Sequence, residues 1–555
     1  MLLEWKLDYR SSSQMYEKIF LKVLEDLSLQ GNIVREHFIL KLYVEAQESE
    51  MLEQFIEKFS SVLPHSIFLY ASEANIVEQM PPAPYTLKKK KKLPLPFCPS
   101  CLSEVMDENH TNYYNIFTQC DACGYEIEGE HRSYKKEFED AAKKIAEGKV
   151  LKLNTFYGTY TVALPSSKCN RVSYDMLCYD LATIEKYTHV EKYEITSLGA
   201  VEKPLITCKK NMKFLMDFEE IEADLIRFKL ADDFILHLLM ETLHGVGVDV
   251  ICISIDVMEY DETLLLCEPQ HHLVPIEVVA SEKDLVIVKG NKGLPHFLLE
   301  TNNPTLRALY SVMKEHKLED EVVASINLSK TYENNILMYG EKFGVLEYLS
   351  FAFTFDSIEA IFKAIQDTNE TGVKIVQNYQ KKFPEHFERI SQIIFEEKSF
   401  NLYTLWGIIA IVLGFTKSTS PYEAAKVLEE NAISFLGDKG PRIDYKLIKN
   451  DNTVSLDALM TIRTAMSFKL AGVDTLGLSY GVIESFLEFI ANEVDEMKEK
   501  MEVTSFVVTG SMLENKRIFS KMSKEISVNH SLYFNNQISI ETIEKRRMGV
   551  NSFYS

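Results

Sequence analysis

Near the start of the chain, hydrophobic positions switch between a period of two and a period of three to four. FILKLYVEA (Phe38 to Ala46) and SIFLYAS (Ser66 to Ser72) are short runs rich in branched and aromatic residues, as strands require. EMLEQFIEKFSSVL (Glu50 to Leu63) repeats apolar residues at helical spacing. The pattern predicts a small α+β unit with a βαβ-type order over residues 1–84. Further on, KEFEDAAKKIAEGK (Lys136 to Lys149) predicts a helix ending near Gly148, and VLKLNTFYGTYTVAL (Val150 to Leu164) a strand, a glycine-containing turn and a second strand. In the second half, VVASINL (Val322 to Leu328) and SFVVTG (Ser505 to Gly510) read as strands and SYGVIESFLEFIANEVDEM (Ser479 to Met497) as a helix. Strands and helices alternating in this way predict a second α/β domain. LYTLWGIIAIVLGF (Leu402 to Phe415) is apolar on every side but shorter than the roughly 18 to 20 residues that span a bilayer, so it predicts a buried core helix.

With 555 residues, the chain exceeds one ordinary core and predicts several domains. The formal charge of −22 repels a phosphate backbone and disfavours bulk nucleic-acid binding. The opening MLLEWKLDYRSSSQ lacks the basic-then-apolar order of an export signal. Pro81, Pro82 and Pro84, five lysines from Lys88 to Lys92, and Pro94 and Pro96 favour extended backbone, which predicts a linker over residues 85–96.

All nine cysteines lie between Cys98 and Cys267. Four form two C-x-x-C pairs, Cys98/Cys101 and Cys120/Cys123, separated by the eighteen residues Leu102 to Gln119. Each pair sits on a tight knuckle, beside Pro99 or Gly124, so both sulfurs of a pair can face one ion; four thiolates suit tetrahedral Zn²⁺ and close its shell to water. The pattern predicts a structural zinc site within residues 97–131, in a chain with cytoplasmic localisation. The alternative is four unrelated cysteines in a reducing compartment. His110 and His131 are read as surface histidines, since four sulfurs suffice.

FCPSCLSEVMDENHTNYYNIFTQCDACG resembles the zinc module of the HypF carbamoyltransferases of [NiFe]-hydrogenase maturation, with Phe117, Thr118, Cys120, Cys123 and Gly124 carrying the likeness. HypF has two such modules in tandem; here there is one, because the next cysteine is Cys169. The resemblance implies a domain order covering nearly the whole chain: an acylphosphatase-like domain (1–84), the linker (85–96), the zinc module (97–131), a YrdC-like α/β domain (132–300) and a TsaD-like, ASKHA-type α/β domain (301–555). The first lacks a glycine-rich, arginine-containing phosphate loop, and acylphosphatase activity is not expected. Thr155, Tyr157 and Gly158 are similar to the turn beside the carbamoyl-adenylate pocket of YrdC-like domains, and Lys203, in GAVEKPLI, to a phosphate-contacting lysine. The family's Lys-x-Arg would fall at Ser197 and Gly199, so two positive charges are missing. Gly510, Ser511, Glu514 and Asn515 resemble the segment lining the TsaD-like nucleotide cleft, where N–H groups at a helix start can hold an anion. The family's metal-binding histidine pair has no H-x-x-x-H counterpart among His316, His386 and His530, and Asn536 stands where an aspartate is expected.

Taken alone, the Thr155–Gly158 and Gly510–Ser511 segments are also ordinary turns. His271 and His272, with Cys267 and Glu268, are candidates for metal or acid/base chemistry, although adjacent residues of an extended segment point to opposite sides. Lys439 and Arg442 lie in a mixed-charge turn, and Ser479 is placed to cap a helix. The reading is an accessory protein in [NiFe]-hydrogenase maturation, similar to HypF and above all to its divergent HydE-type relatives, with reduced or lost carbamoyl transfer. Implied partners are the hydrogenase large subunit or other maturation proteins, with Zn as structural cofactor and ATP and carbamoyl phosphate as ligands of any remaining chemistry. One alternative is an active ATP-dependent carbamoyltransferase, with Lys203, Thr155 and Asn515 on the nucleotide; another is an RNA-binding or tRNA-modification factor.

Overall fold

A computed structural model describes residues 1–81, 97–120, 123, 125–256, 258–269, 274–450 and 453–544. The expected linker and the His271-His272 pair lie outside the described residues. The chain forms two compact units, Met1–Val278 and Val279–Ser555.

The first unit opens with strand Leu2–Tyr9, helix Met15–Leu27, strands Gln30–Glu36 and Ile39–Glu45, helix Ser49–Val62 and strand Leu69–Val77. This strand–helix–strand–strand–helix–strand order is ferredoxin-like. The antiparallel sheet runs Gln30–Glu36, Ile39–Glu45, Leu2–Tyr9, Leu69–Val77 from edge to edge. Phe20 of the first helix meets Phe55 and Phe59 of the second edge to face, at 5.8 and 5.9 Å.

The same unit contains a mixed seven-stranded sheet in the order Glu262–Leu264, Leu151–Asn154, Thr159–Ala163, Val250–Ser254, Asp175–Cys178, Leu225–Lys229, Ile206–Lys209. The expected helix is Lys135–Ala146, followed by the strand, turn and strand Leu151–Asn154 and Thr159–Ala163.

The second unit carries another mixed seven-stranded sheet: Leu447–Asn450, Thr453–Leu456, Gly344–Ser350, Asn335–Gly340, Val323–Asn327, Ser505–Thr509, Ser531–Tyr533. Val323–Asn327 and Ser505–Thr509 are parallel neighbours, which puts the turns after both strands at the same end of the sheet. The apolar run forms the buried helix Leu402–Leu413, with Asn401 closing a capping box and Gly414 ending it in the left-handed conformation. Gly407 is required where helix Pro421–Ser434 approaches, because a Cβ there would lie 1.7 Å from the Pro421 carbonyl oxygen. The long helix begins at Thr475 and not near Ser479, because the Asp474 carboxylate accepts from the Gly477 N–H at 2.9 Å and is the cap; Ser479 lies buried inside the helix. Among the described residues no helix is long and apolar enough to cross a membrane.

Glu315 anchors the last part of this unit. Its fully buried carboxylate accepts from the N–H groups of Asn536, Gln537 and Ile538 at 2.8, 3.2 and 2.8 Å. Burial nevertheless pushes its pKa up to about 7, against the pull of those donors. The folded state therefore holds the proton more tightly than the unfolded chain, and the stability this provides is lost as pH rises from the ordinary glutamate range through about 7. Replacing Glu315 with Gln sets an amide N–H₂ against the same donors and should cost about 1–3 kcal/mol near pH 6. Thermal melts of both proteins from pH 5 to 8 should show the gap narrowing with rising pH.

Candidate functional site

The two cysteine knuckles converge. Cys98 precedes helix Pro99–Met106 as its N-cap in extended conformation, with Pro99 as the first helical residue, so the helix starts abruptly and turns Cys101 toward Cys98. On the second knuckle, the Cys120 N–H donates to the Tyr125 carbonyl at 2.8 Å and the Tyr125 N–H to the Cys123 sulfur at 3.4 Å. Cys98 and Cys101 sulfurs are 3.6 Å apart, Cys98 and Cys120 3.9 Å, Cys101 and Cys123 3.5 Å, and all four lie within 4.8 Å of one another. A tetrahedron of sulfurs about 2.3 Å from a central Zn²⁺ has edges of about 3.8 Å, so the set fits a metal such as zinc. All four thiols are buried. Crowding splits their acidities: hydrogen bonds from Cys101 and then Cys120 drive the Cys98 thiol down, while its bonds to Cys120 and then Cys123 drive Cys101 up. Among the described residues this is the group of His, Cys, Asp and Glu side chains placed to hold an ion. The spare histidines turn elsewhere: His110 Nδ1 accepts from the Asn112 N–H at 3.2 Å, and His131 Nδ1 lies 3.2 Å from Asn115 Nδ2.

Aromatic rings tie this module to the mixed sheet of the same unit. Phe97 stacks on Phe234 at 4.5 Å, Tyr125 meets Phe234 edge-on at 5.3 Å, and Phe117 meets Phe156 at 5.7 Å. Phe234 starts helix Phe234–Gly245, whose cap Asp233 is completely buried. One Asp233 oxygen accepts from the Leu236 N–H at 2.8 Å and the other from the Phe156 N–H at 3.1 Å. Burial, reinforced by the Asp232 charge, raises Asp233 to about 7.

Thr155, Tyr157 and Gly158 occupy the turn that Asp233 holds. The Thr155 hydroxyl accepts from the Tyr157 and Gly158 N–H groups at 3.1 and 3.2 Å and donates to the Gly158 carbonyl at 3.2 Å, so it shapes its own turn. Lys203 has a left-handed backbone (φ 46°), and its Nζ donates to the Gly199 carbonyl at 3.3 Å. Burial lowers its pKa against the pull of Glu202 and Asp232, and its charge adds to the burial that depresses His237 to about 4. Lys203 and the 155–158 turn are thus linked through the 232–237 segment. Glu202, half-buried, accepts from Ser66 Oγ at 2.6 Å and the Ile67 N–H at 3.1 Å, which fastens the ferredoxin-like domain to the backbone that positions Lys203. Burial and the charges of Asp233 and Glu268 raise the Cys267 thiol to about 12, the opposite of an activated nucleophile.

In the second unit, Gly510, Ser511 and Asn515 follow strand Ser505–Thr509. Gly510 takes φ 111°, and a Cβ there would lie 2.3 Å from the Leu328 carbonyl oxygen, so only glycine fits. The Ser511 N–H donates to Glu544 Oε1 at 2.9 Å, and Ser511 Oγ accepts from the Lys330 N–H at 2.9 Å. Asn515 caps helix Lys516–Ile526 through Oδ1, and its Nδ2 donates to Glu429 at 3.2 Å. Lys330 Nζ lies 3.3 Å from Glu429 and 3.1 Å from Glu514; these charges outweigh burial and hold the lysine above its ordinary range. Burial raises the Glu544 carboxyl against its hydrogen bonds to Ser511 and Ser329. Beside Lys330 opens a cleft of about 680 Å³, lined in part by Tyr332, Phe400, Asn401 and Tyr422. His316 faces the Phe534 carbonyl (3.0 Å), His386 that of Val412 (2.9 Å) and His530 the Asp495 carboxylate (2.7 Å), so the three do not converge. Asn536 donates from Nδ2 to the Leu285 carbonyl at 2.6 Å.

Two solved structures match nearly the full length: full-length HypF in its phosphate- and nucleotide-bound form, with TM-score 0.64, 13% identity and 98% and 97% of the two chains covered, and T. kodakarensis HypF, with TM-score 0.65, 11% identity and 97% and 96% covered. The fold is that of HypF. By sequence the chain is similar to protein HydE of Wolinella succinogenes, 26% identical over 517 residues that cover 90% of this chain and 92% of HydE. No family model matches. Within this HypF fold, Glu544, Glu429, Asp233 and Glu202 escape sequence reasoning, since each meets its partner across a long stretch of chain. Lys330 had a local signal, the Ser329-Lys330-Thr331 turn directly after a buried strand.

Replacing both Cys98 and Cys120 with Ala should abolish metal retention, measured by elemental analysis of the purified chain. Because the module packs on Phe234 and Phe156, the same variant should lose several kcal/mol of stability and melt at lower temperature.

Proposed function

We propose that this chain is an accessory protein of [NiFe]-hydrogenase maturation whose ATP-dependent carbamoyl transfer is reduced or lost, and which binds the hydrogenase large subunit or other maturation proteins. The cysteine cluster takes Zn²⁺ as a structural ion. The role is supported by the HypF fold together with the likeness to HydE. The observation that carries the loss of chemistry is the Ser511 N–H, the donor a nucleotide phosphate would need, held by this chain's own Glu544 at 2.9 Å. Lys330, the nearby cation, is neutralised by Glu429 and Glu514. In the first unit, Ser197 and Gly199 supply no charge where two cations would offset a triphosphate, and the Ser197 hydroxyl donates to the Tyr193 carbonyl of its own helix. Preorganised donors of this kind contribute about 10²–10³ each to rate.

Carbamoyl-phosphate-dependent ATP–pyrophosphate exchange by the purified chain should therefore run roughly 10²-fold or more below that of HypF. Exchange at a comparable rate would establish the active carbamoyltransferase instead. Co-purification of the tagged chain from its native host should recover the large subunit or maturation factors, whereas tRNA as the sole companion would favour the RNA reading. Replacing Glu544 with Ala frees the Ser511 N–H and should tighten ADP binding about tenfold in calorimetry, the size expected of one hydrogen bond to a charged group.

A further inference from the structure

The short helix Met212–Asp217 is apolar on both sides. Phe214 is buried beneath it, while Met212, Leu215 and Met216, at i, i+3 and i+4, share the outer face and are 70%, 39% and 74% exposed. The chain continues as DFEEIEAD (Asp217 to Asp224), with five carboxylates in eight residues. Asp217 is spent on Lys213 (2.8 Å), Asp224 faces Lys210 (3.5 Å), and Glu220 accepts from the Ser167 N–H (2.7 Å). Glu219 and Glu222 are exposed and make no ion pair among the described residues. Two uncommitted negative charges thus follow the Met–Leu–Met face along the chain, three and six residues after Met216, and unbranched thioether side chains adapt to many apolar shapes.

We infer that this face binds a basic amphipathic segment of a protein partner, with bulky apolar side chains on the methionines and Lys or Arg beside Glu219 and Glu222. Charge selects this occupant. A second copy would set the same acidic rim against itself in an isologous contact, and a nucleic-acid backbone or an anionic lipid surface would be repelled.

The test uses the full-length chain and two labelled helical peptides with one apolar pattern, one carrying lysines and the other glutamates. Fluorescence anisotropy should show the lysine peptide binding, more weakly at higher salt, and the glutamate peptide not binding. M212Q/M216Q should weaken the lysine peptide at least tenfold, and E219Q/E222Q should weaken it and flatten the salt dependence. All four positions are exposed, and circular dichroism checks that both variants stay folded. Unchanged binding by either variant would place the peptide elsewhere on this acidic chain and overturn the proposal. Equal binding of both peptides, or self-association in sedimentation that M212Q/M216Q abolishes, would overturn it as well.

Discussion

Four buried sulfurs, all within 4.8 Å of one another, can be deprotonated together only around a cation, and much of the first unit is built outward from that constraint. Bringing the knuckles together fixes Phe97 and Tyr125, which clamp Phe234 at the start of its helix. The cap of that helix, Asp233, holds the Phe156 N–H and with it the 155–158 turn. An ion held by these sulfurs would contribute more folding free energy than any single contact in this series. The ferredoxin-like domain enters from another direction, through Glu202 beside Lys203.

The second unit keeps its sheet and turns but spends their polar groups internally. Glu544 holds Ser511, Asn515 joins a capped helix to Glu429, and Asn536 ties its segment to Leu285. The buried strands and the Gly510 turn demand the same residues whether or not a ligand binds, so the fold by itself does not set what these groups do.

How much of this was legible depended on sequence distance. The cysteine spacing was readable because both knuckles are local, and the strand–turn–strand at Leu151–Ala163 and the helix Leu402–Leu413 follow from unbroken hydrophobic pattern. The first strand, Leu2–Tyr9, is equally local: Leu3, Trp5, Leu7 and Tyr9 alternate with polar and charged residues, the period of a strand. Helix Met15–Leu27 and strand Gln30–Glu36 completed a ferredoxin-like order where a shorter βαβ had been expected. Division of the chain at Val278/Val279 was not visible in composition, since the segment after it is held by hydrogen bonds such as Ile287 N–H to the Asn535 carbonyl, between residues remote in sequence. Glu544 and Glu429 were hidden for the same reason, since their partners Ser511 and Asn515 lie far away in sequence.

The central claim is that one metal ion organises the module through four sulfurs. X-ray absorption at the zinc edge of the chain purified without added metal tests it most directly. The account predicts one zinc per chain with a single shell of four sulfur scatterers at about 2.3 Å. Nitrogen or oxygen in that shell, or a chain that folds with no metal bound, would contradict it.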